Sequence, residues 1–233
     1  MKVSLISYTP DAVNLLLFTK NTRLNMSPGL MAEIAAWPAA KKAEELLKMA
    51  VTIRSSWEFV DFVFLIEGVS RASAQQITRT RQASYAMQSM RVTDVRRMPM
   101  VNPRPGDKAY AQALAVGQAS YVALVDAGVP LEDARGVLPM NTACNLVAKY
   151  NLRTFVDLAA ARESLRAQGE YVAVVKAMKQ LVLETHPQFA AFFESPNKLA
   201  IDLLTDVAKE LGITTGSGPG WQIAKAVDLI KKG

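Results

Sequence analysis

The stretch RTRQASYAMQSMR, residues 79–91, decides the reading of this chain, because it sets three arginines and two serines in a short segment that ends in a strand-like alternation. At a period of two, Met87, Ser89 and Arg91 share one face and Gln88 and Met90 the other. A hydroxyl and a guanidinium on one surface make a grip for a phosphate, since arginine presents a planar fork of donors that matches an oxyanion. A solvated basic strand edge has the same pattern, so the chemistry alone leaves both readings open.

Working outward, SRASAQQITRTR, residues 70–81, reads as a helix that delivers Arg79 and Arg81 to its C-terminal end. Before it, WEFVDFVFLIEG (57–68) is rich in aromatic and β-branched residues and reads as a buried strand. Residues 2–8 read as a short strand ended by Pro10, with Asp11 placed to start a helix, and residues 29–50 as helix interrupted at Pro38. After the motif, residues 96–108 hold three prolines and a glycine and read as a loop or flap. Residues 107–128 form a long amphipathic helix closed by Gly128 and Pro130. One helical turn, a stop at Pro139 and a strand follow.

From Asn151 to about Phe193 the pattern predicts two helices. On the first, Asn151, Leu158 and Arg162 fall on one face, with Arg166 one turn beyond Arg162. A purely structural helix would turn those polar residues to water. Residues 196–233 read as a helical C-terminal extension, with GITTGSGPG as a linker; no strand precedes its glycines, so they are no dinucleotide fingerprint.

Length and composition fit one catalytic domain, residues 1–195, with that extension: 233 residues, half of them hydrophobic, can bury a sizeable core. The net charge of +6 favours anionic partners, but the basic residues are scattered. Nucleotide-sized anions fit this better than a stable nucleic-acid partner, which wants a continuous basic stripe. The single cysteine, Cys144, excludes an internal disulfide framework and a multi-cysteine metal site, and points to a reducing cytoplasm. The opening MKVSLISYTP has no long apolar region of the signal-peptide kind, and no window reads as a membrane span.

The motif resembles the signature of flavin-dependent thymidylate synthases, which runs Arg-His-Arg, seven residues, Ser, and shortly another Arg. Here Arg79, Arg81, Ser89 and Arg91 keep the spacing, and Thr80 stands where the family usually has histidine. The resemblance extends through KVSLISYTP, SSWEFVDFVFLIEGVSRASAQQ, EDARGVLPMN and NLRTFVDLAAARESLRAQGEY, in the family's order. It implies an α+β fold, a mixed sheet flanked by long helices, assembled as a homotetramer whose sites draw on several subunits.

It also implies a reaction, the conversion of dUMP to dTMP. Reduced FAD and methylenetetrahydrofolate deliver a one-carbon unit to carbon 5 of the pyrimidine, and NADPH re-reduces the flavin. By position, Ser55, Glu58, Arg79, Thr80, Arg81, Gln82, Asn151, Arg153, Asp157 and Arg166 would bind FAD. Gln76, Arg79, Met87, Gln88, Ser89, Met90, Arg91, Arg135 and Arg162 would hold the deoxypyrimidine monophosphate, with Ser89 and Arg162 in catalytic roles.

Four positions depart from that pattern. Histidine is absent at Thr80 and Gln75, Ile53 replaces another common histidine, and Met87 replaces a polar residue near the pyrimidine. Three functions follow: thymidylate synthesis; a variant acting on dCMP or dUMP that leaves methyl or hydroxymethyl; and an inactive flavin- or nucleotide-binding homologue. Cys144, in an apolar run without a neighbouring histidine, reads as core and not as a nucleophile. His186, the only histidine, lacks partners at metal spacing, and no metal is expected. Most of the ten methionines read as packing.

Overall fold

The computed structural model describes residues 1–22, 24, 26–52, 54–162 and 168–194. The expected C-terminal helices, and positions Ile53 and Arg166, lie outside the described residues.

Four strands form one sheet in the order β1-β2-β4-β3: β1 (Lys2–Tyr8), β2 (Asp61–Ser70), β3 (Ala83–Met87) and β4 (Ala143–Asn151). The chain has the α+β class expected, but every strand pair among the described residues is antiparallel, where a mixed sheet was expected. No helix joins two neighbouring strands as a parallel crossover, and parallel pairing requires one.

Alternation places the core. Phe62, Phe64 and Ile66 of β2 and Leu146, Ala148 and Tyr150 of β4 are buried on one face. The opposite face carries polar groups such as the Asp61–Lys149 ion pair at 2.8 Å, the pattern of an antiparallel sheet covered on one side. At Gly68 the β2–β4 register slips, and this residue has φ +67° with its N–H donating to Asn145 Oδ1 at 2.9 Å. A side chain would strain that bulge.

Helix boundaries follow local chemistry. Asp11 precedes α1 (Ala12–Asn21) in the left-handed region, and its carboxylate accepts from Asn14 Nδ2 rather than capping the backbone. Pro38 separates α2 (Leu30–Ala35) from α3 (Ala39–Thr52), as the sequence requires. Ser70 caps α4 (Arg71–Ile77), accepting from Ser73 N. Asp107 does the same for α5 (Lys108–Asp126) toward Tyr110 N, after a proline-rich segment without a strand or helix. Gly117 lets α5 approach the Pro139 turn, because a Cβ there would lie 2.6 Å from the proline ring. A short helix, α6 (Leu131–Ala134), precedes β4; α7 (Leu152–Arg162) and α8 (Gly169–Thr185) follow it, and α8 packs over β1 and β2.

Candidate active site

β3 ends earlier than the alternation of residues 87–91 predicts. Its ladder pairs Ala83 with Tyr150 through Met87 with Leu146, and one further bond, Gln88 N to Asn145 O at 2.9 Å, closes the pairing. The Ser89 hydroxyl then accepts from Arg91 N at 3.2 Å, a local turn that displaces the strand pattern. The strand alternation therefore does not extend to Ser89 and Arg91. Met87 Sδ accepts from Arg71 at 3.4 Å, Ser89 is exposed, and Arg91 donates to Glu132 at 2.7 Å. Gln88 Oε1 and Met90 are buried instead.

Two groups of site residues form at opposite ends of β4. At the Asn151 end, the Asn151 side chain accepts from Thr154 N at 2.8 Å and so starts α7. It is the last residue of β4, so it lies off the helical stripe expected to carry Arg162. Arg153, one residue into α7, donates to Glu58 at 2.7 Å, and Asp157 pairs with Arg54, whose guanidinium lies over the Trp57 ring at 5.1 Å. Glu58 belongs to a single-turn helix, Ser55–Phe59, beside the start of β2. Gln82 reaches Thr154 Oγ1 at 3.5 Å. Arg79 and Arg81 are exposed in the turn after α4 and form no ion pair among the described residues.

Between those arginines, Thr80 offers its carbonyl to the Tyr85 hydroxyl at 3.0 Å, with Ile77 O at 2.8 Å. Behind this turn stand Tyr150, Tyr171 and Arg162, the last with its guanidinium 4.8 Å from the Tyr171 ring centre. Among the described residues, Arg162 Nε and the Tyr171 and Tyr150 hydroxyls are buried without hydrogen-bond partners in good geometry. Burial pushes the phenols of Tyr85, Tyr150 and Tyr171 up, so they remain neutral donors. Arg162 thus turns its Nε inward beside Tyr171 at this end of the sheet. Gln76 bonds Gln168 on a different flank of α4 from Gln75.

At the other end of β4, a cavity of about 220 Å³ is lined by Arg71, Gln75, Met90, Arg135 and the 136–140 turn. Arg135 donates to the Glu132 carbonyl at 3.1 Å, and the Glu132 carboxylate holds Arg91. Two residues here escaped the sequence reading. Arg71 lies at a strand–helix junction, where an arginine is unremarked. Glu170, in the first turn of α8, accepts from Ser70 and from the Ser73 hydroxyl, the latter at 2.5 Å; an acidic residue at a helix start was its one signal. Cys144 is buried, as expected of a core thiol. Among the described residues no cluster of ligands could hold a metal ion, and no helix is long and apolar enough to cross a membrane.

An antiparallel sheet with arginines near both ends of one central strand, flanked by helices, defines an α+β protein. Residues 4–188 match the family described as thymidylate synthase complementing protein, and the chain belongs to that family. The flavin-dependent thymidylate synthase of Geobacter sulfurreducens is 31% identical over 197 residues, spanning 80% of this chain and 84% of that protein. That of Nitratidesulfovibrio vulgaris is 33% identical over 214 residues, spanning 82% and 85%. Among solved structures, thymidylate synthase X of Helicobacter pylori with FAD and dUMP shares the fold at a TM-score of 0.68, with 20% identity over 84% of this chain and 100% of that one. The UMP/dUMP methylase PolB of Streptomyces cacaoi, bound with 5-Br dUMP, shares it at 0.61, with 21% identity over 82% and 95%.

Proposed function

We propose that this chain methylates dUMP to dTMP, taking the one-carbon unit from methylenetetrahydrofolate with FAD as cofactor and NADPH as reductant. The observation that carries the reading is the division of site residues between the two ends of β4, inside a frame shared with flavin-dependent relatives. The relatives described above are thymidylate synthases and a methylase, which supports a methyl product over the hydroxymethyl or cytosine variants.

The residues present fit a flavin dinucleotide. Arg79 and Arg81, exposed and without carboxylate partners among the described residues, suit its pyrophosphate. Glu58 and Asp157 hold Arg153 and Arg54 on the same rim, and Asn151, Thr80, Gln82 and Ser55 supply polar groups around it. When bound, the flavin supplies the hydride that completes the methyl group. Arg162 keeps its buried Nε without a hydrogen-bond partner among the described residues, next to Tyr171, where it would steady charge on the pyrimidine. Ser89, Gln88, Met90, Arg91, Arg135 and Gln76 would orient the nucleotide, and Met87 would present a soft side chain toward its base.

The spacing bears on assembly. Asn151 lies five steps along β4 from Leu146, opposite Met87, about 17 Å at the rise of a strand. Reaction needs atoms roughly 3–3.5 Å apart. A second copy that brings its nucleotide end to the first copy's flavin end closes that gap, which supports a homotetramer with shared sites. One free thiol fits a reducing cytoplasm.

The test is to supply the purified protein with FAD, methylenetetrahydrofolate, NADPH and dUMP, and to weigh the nucleotide. A mass gain of one CH2 unit, from methyl replacing the hydrogen on carbon 5, flavin absorbance and tetramer-sized scattering are expected. A colourless monomer that leaves dUMP unchanged would sink the reading.

A further inference from the structure

The turn between α4 and β3 carries Arg79 and Arg81, both exposed and in no ion pair among the described residues. Its own backbone holds it loosely. Arg79 N donates to Gln76 O at 3.2 Å and Thr80 N to Ile77 O at 3.4 Å, at or beyond the long end of the usual range. The Tyr85 hydroxyl adds what those bonds lack, sharing its proton between Ile77 O at 2.8 Å and Thr80 O at 3.0 Å. These two carbonyls bracket Arg79, so one phenol ties the end of α4 to the middle of the Arg-Thr-Arg turn.

The tyrosine itself is well anchored. In the β3–β4 ladder it stands opposite Ala148, and its ring meets Tyr150 edge-on, with centroids 5.9 Å apart and planes at 79°. Burial pushes its phenol up, so the hydroxyl keeps its proton and remains a donor. The same turn is backed by Tyr171, a buried ring whose hydroxyl neighbours the Thr80 side chain and whose face meets the Arg162 guanidinium at 4.8 Å.

Packing does not need the Tyr85 hydroxyl. A phenylalanine would fill the same place beside Tyr150, whereas only the O–H reaches the two carbonyls. What the hydroxyl changes is order in the turn. Two arginine side chains already lose rotamer freedom when a ligand fixes them, and a backbone that also had to be ordered would weaken binding further.

We propose that Tyr85 is a positioning residue of the flavin site: its hydroxyl holds the backbone of residues 79–81 in the conformation that receives the pyrophosphate, while touching neither flavin nor nucleotide. This rests on the flavin reading above and adds to it a residue that acts only through the turn.

The test is flavin fluorescence titration, with dUMP calorimetry and thermal melting, on the wild type, Tyr85→Phe, the double variant Arg79→Ala with Arg81→Ala, and the triple variant. Tyr85→Phe keeps the ring and should weaken FAD binding roughly 3- to 10-fold, the scale of one hydrogen bond, with dUMP affinity unchanged. In the chain that already lacks both guanidiniums, the same change should cost nothing further, because the two effects act through one contact. Tyr121→Phe, on α5, is the control for stability. It removes the hydroxyl that accepts from Val95 N at 3.3 Å, and should lower the melting temperature without altering FAD affinity. Unaltered FAD affinity in Tyr85→Phe overturns the inference and leaves the proposed function standing. So does a loss that Tyr121→Phe reproduces, a loss that persists in full in the triple variant, or a Tyr85→Phe chain that no longer melts cooperatively. A wild type that binds no FAD overturns both.

Discussion

Glu170 accepts two hydrogen bonds from Ser70, one from the backbone N–H at 2.8 Å and one from the hydroxyl at 2.5 Å, across a sequence separation of 100 residues. Ser70 ends β2 and caps α4, so this carboxylate joins the α8 start to the junction that aims Arg71 and Gln75 at the cavity. Glu170→Ala strands the Ser70 and Ser73 groups in a buried place. A loss of about 2–4 kcal/mol in urea unfolding is expected, with a smaller loss for Glu170→Gln, which keeps one acceptor.

Arg79 and Arg81 stand outside the core, so their roles in binding and in folding separate. Arg79→Ala or Arg81→Ala should change stability by less than ~0.5 kcal/mol. Each should weaken FAD binding about tenfold, the scale of one charge-assisted contact. Flavin fluorescence titration beside thermal melting distinguishes this from a general loss of fold.

Much of the frame was legible because punctuation residues act locally. Pro38 breaks a helix, and Asp107 and Gly128 bracket α5, whatever the tertiary context. The stop of β3 was not legible, because Ser89 and Arg91 keep the alternation of residue types while the Ser89 hydroxyl bends the backbone out of the ladder. Asn151 reads as part of a helical stripe by spacing and serves as a cap in space. The partner of Arg91 was hidden for a related reason. Glu132 lies 41 residues beyond Arg91, and no local pattern reveals that its carboxylate holds that guanidinium.

His186 gives the chain an acid-sensitive spot. Its ring stacks on Phe189 at 4.9 Å and meets the Tyr8 and Phe62 rings edge-on, its Nδ1 has no partner among the described residues, and burial lowers its pKa below 6.5. The unfolded chain therefore binds the proton more readily than the folded one. Stability present above pH 6.5 falls as the pH drops toward the folded value. Urea midpoints between pH 7.5 and 5 should decline in the wild type, and His186→Phe should flatten that decline.

Gly117→Ala should push α5 away from the Pro139 ring, which sits 2.6–2.8 Å from where the new methyl group would be. The cost expected is about 1–3 kcal/mol, the range for overpacking, and it should appear in thermal melting. Because Pro139 also lines the Arg71–Arg135 cavity, dUMP affinity should fall as well.

The strand order gives this fold an uneven tolerance for change. β2 and β4 are central and carry the aromatic core, whereas β3, with the Arg-Thr-Arg turn at one end and Met87 at the other, lies on the rim of the sheet. Gln75 is exposed, and Thr80 and Met87 are only partly covered. Such positions can be exchanged with little injury to folding, so selection can reword the chemistry of the rim while the interior keeps its grammar.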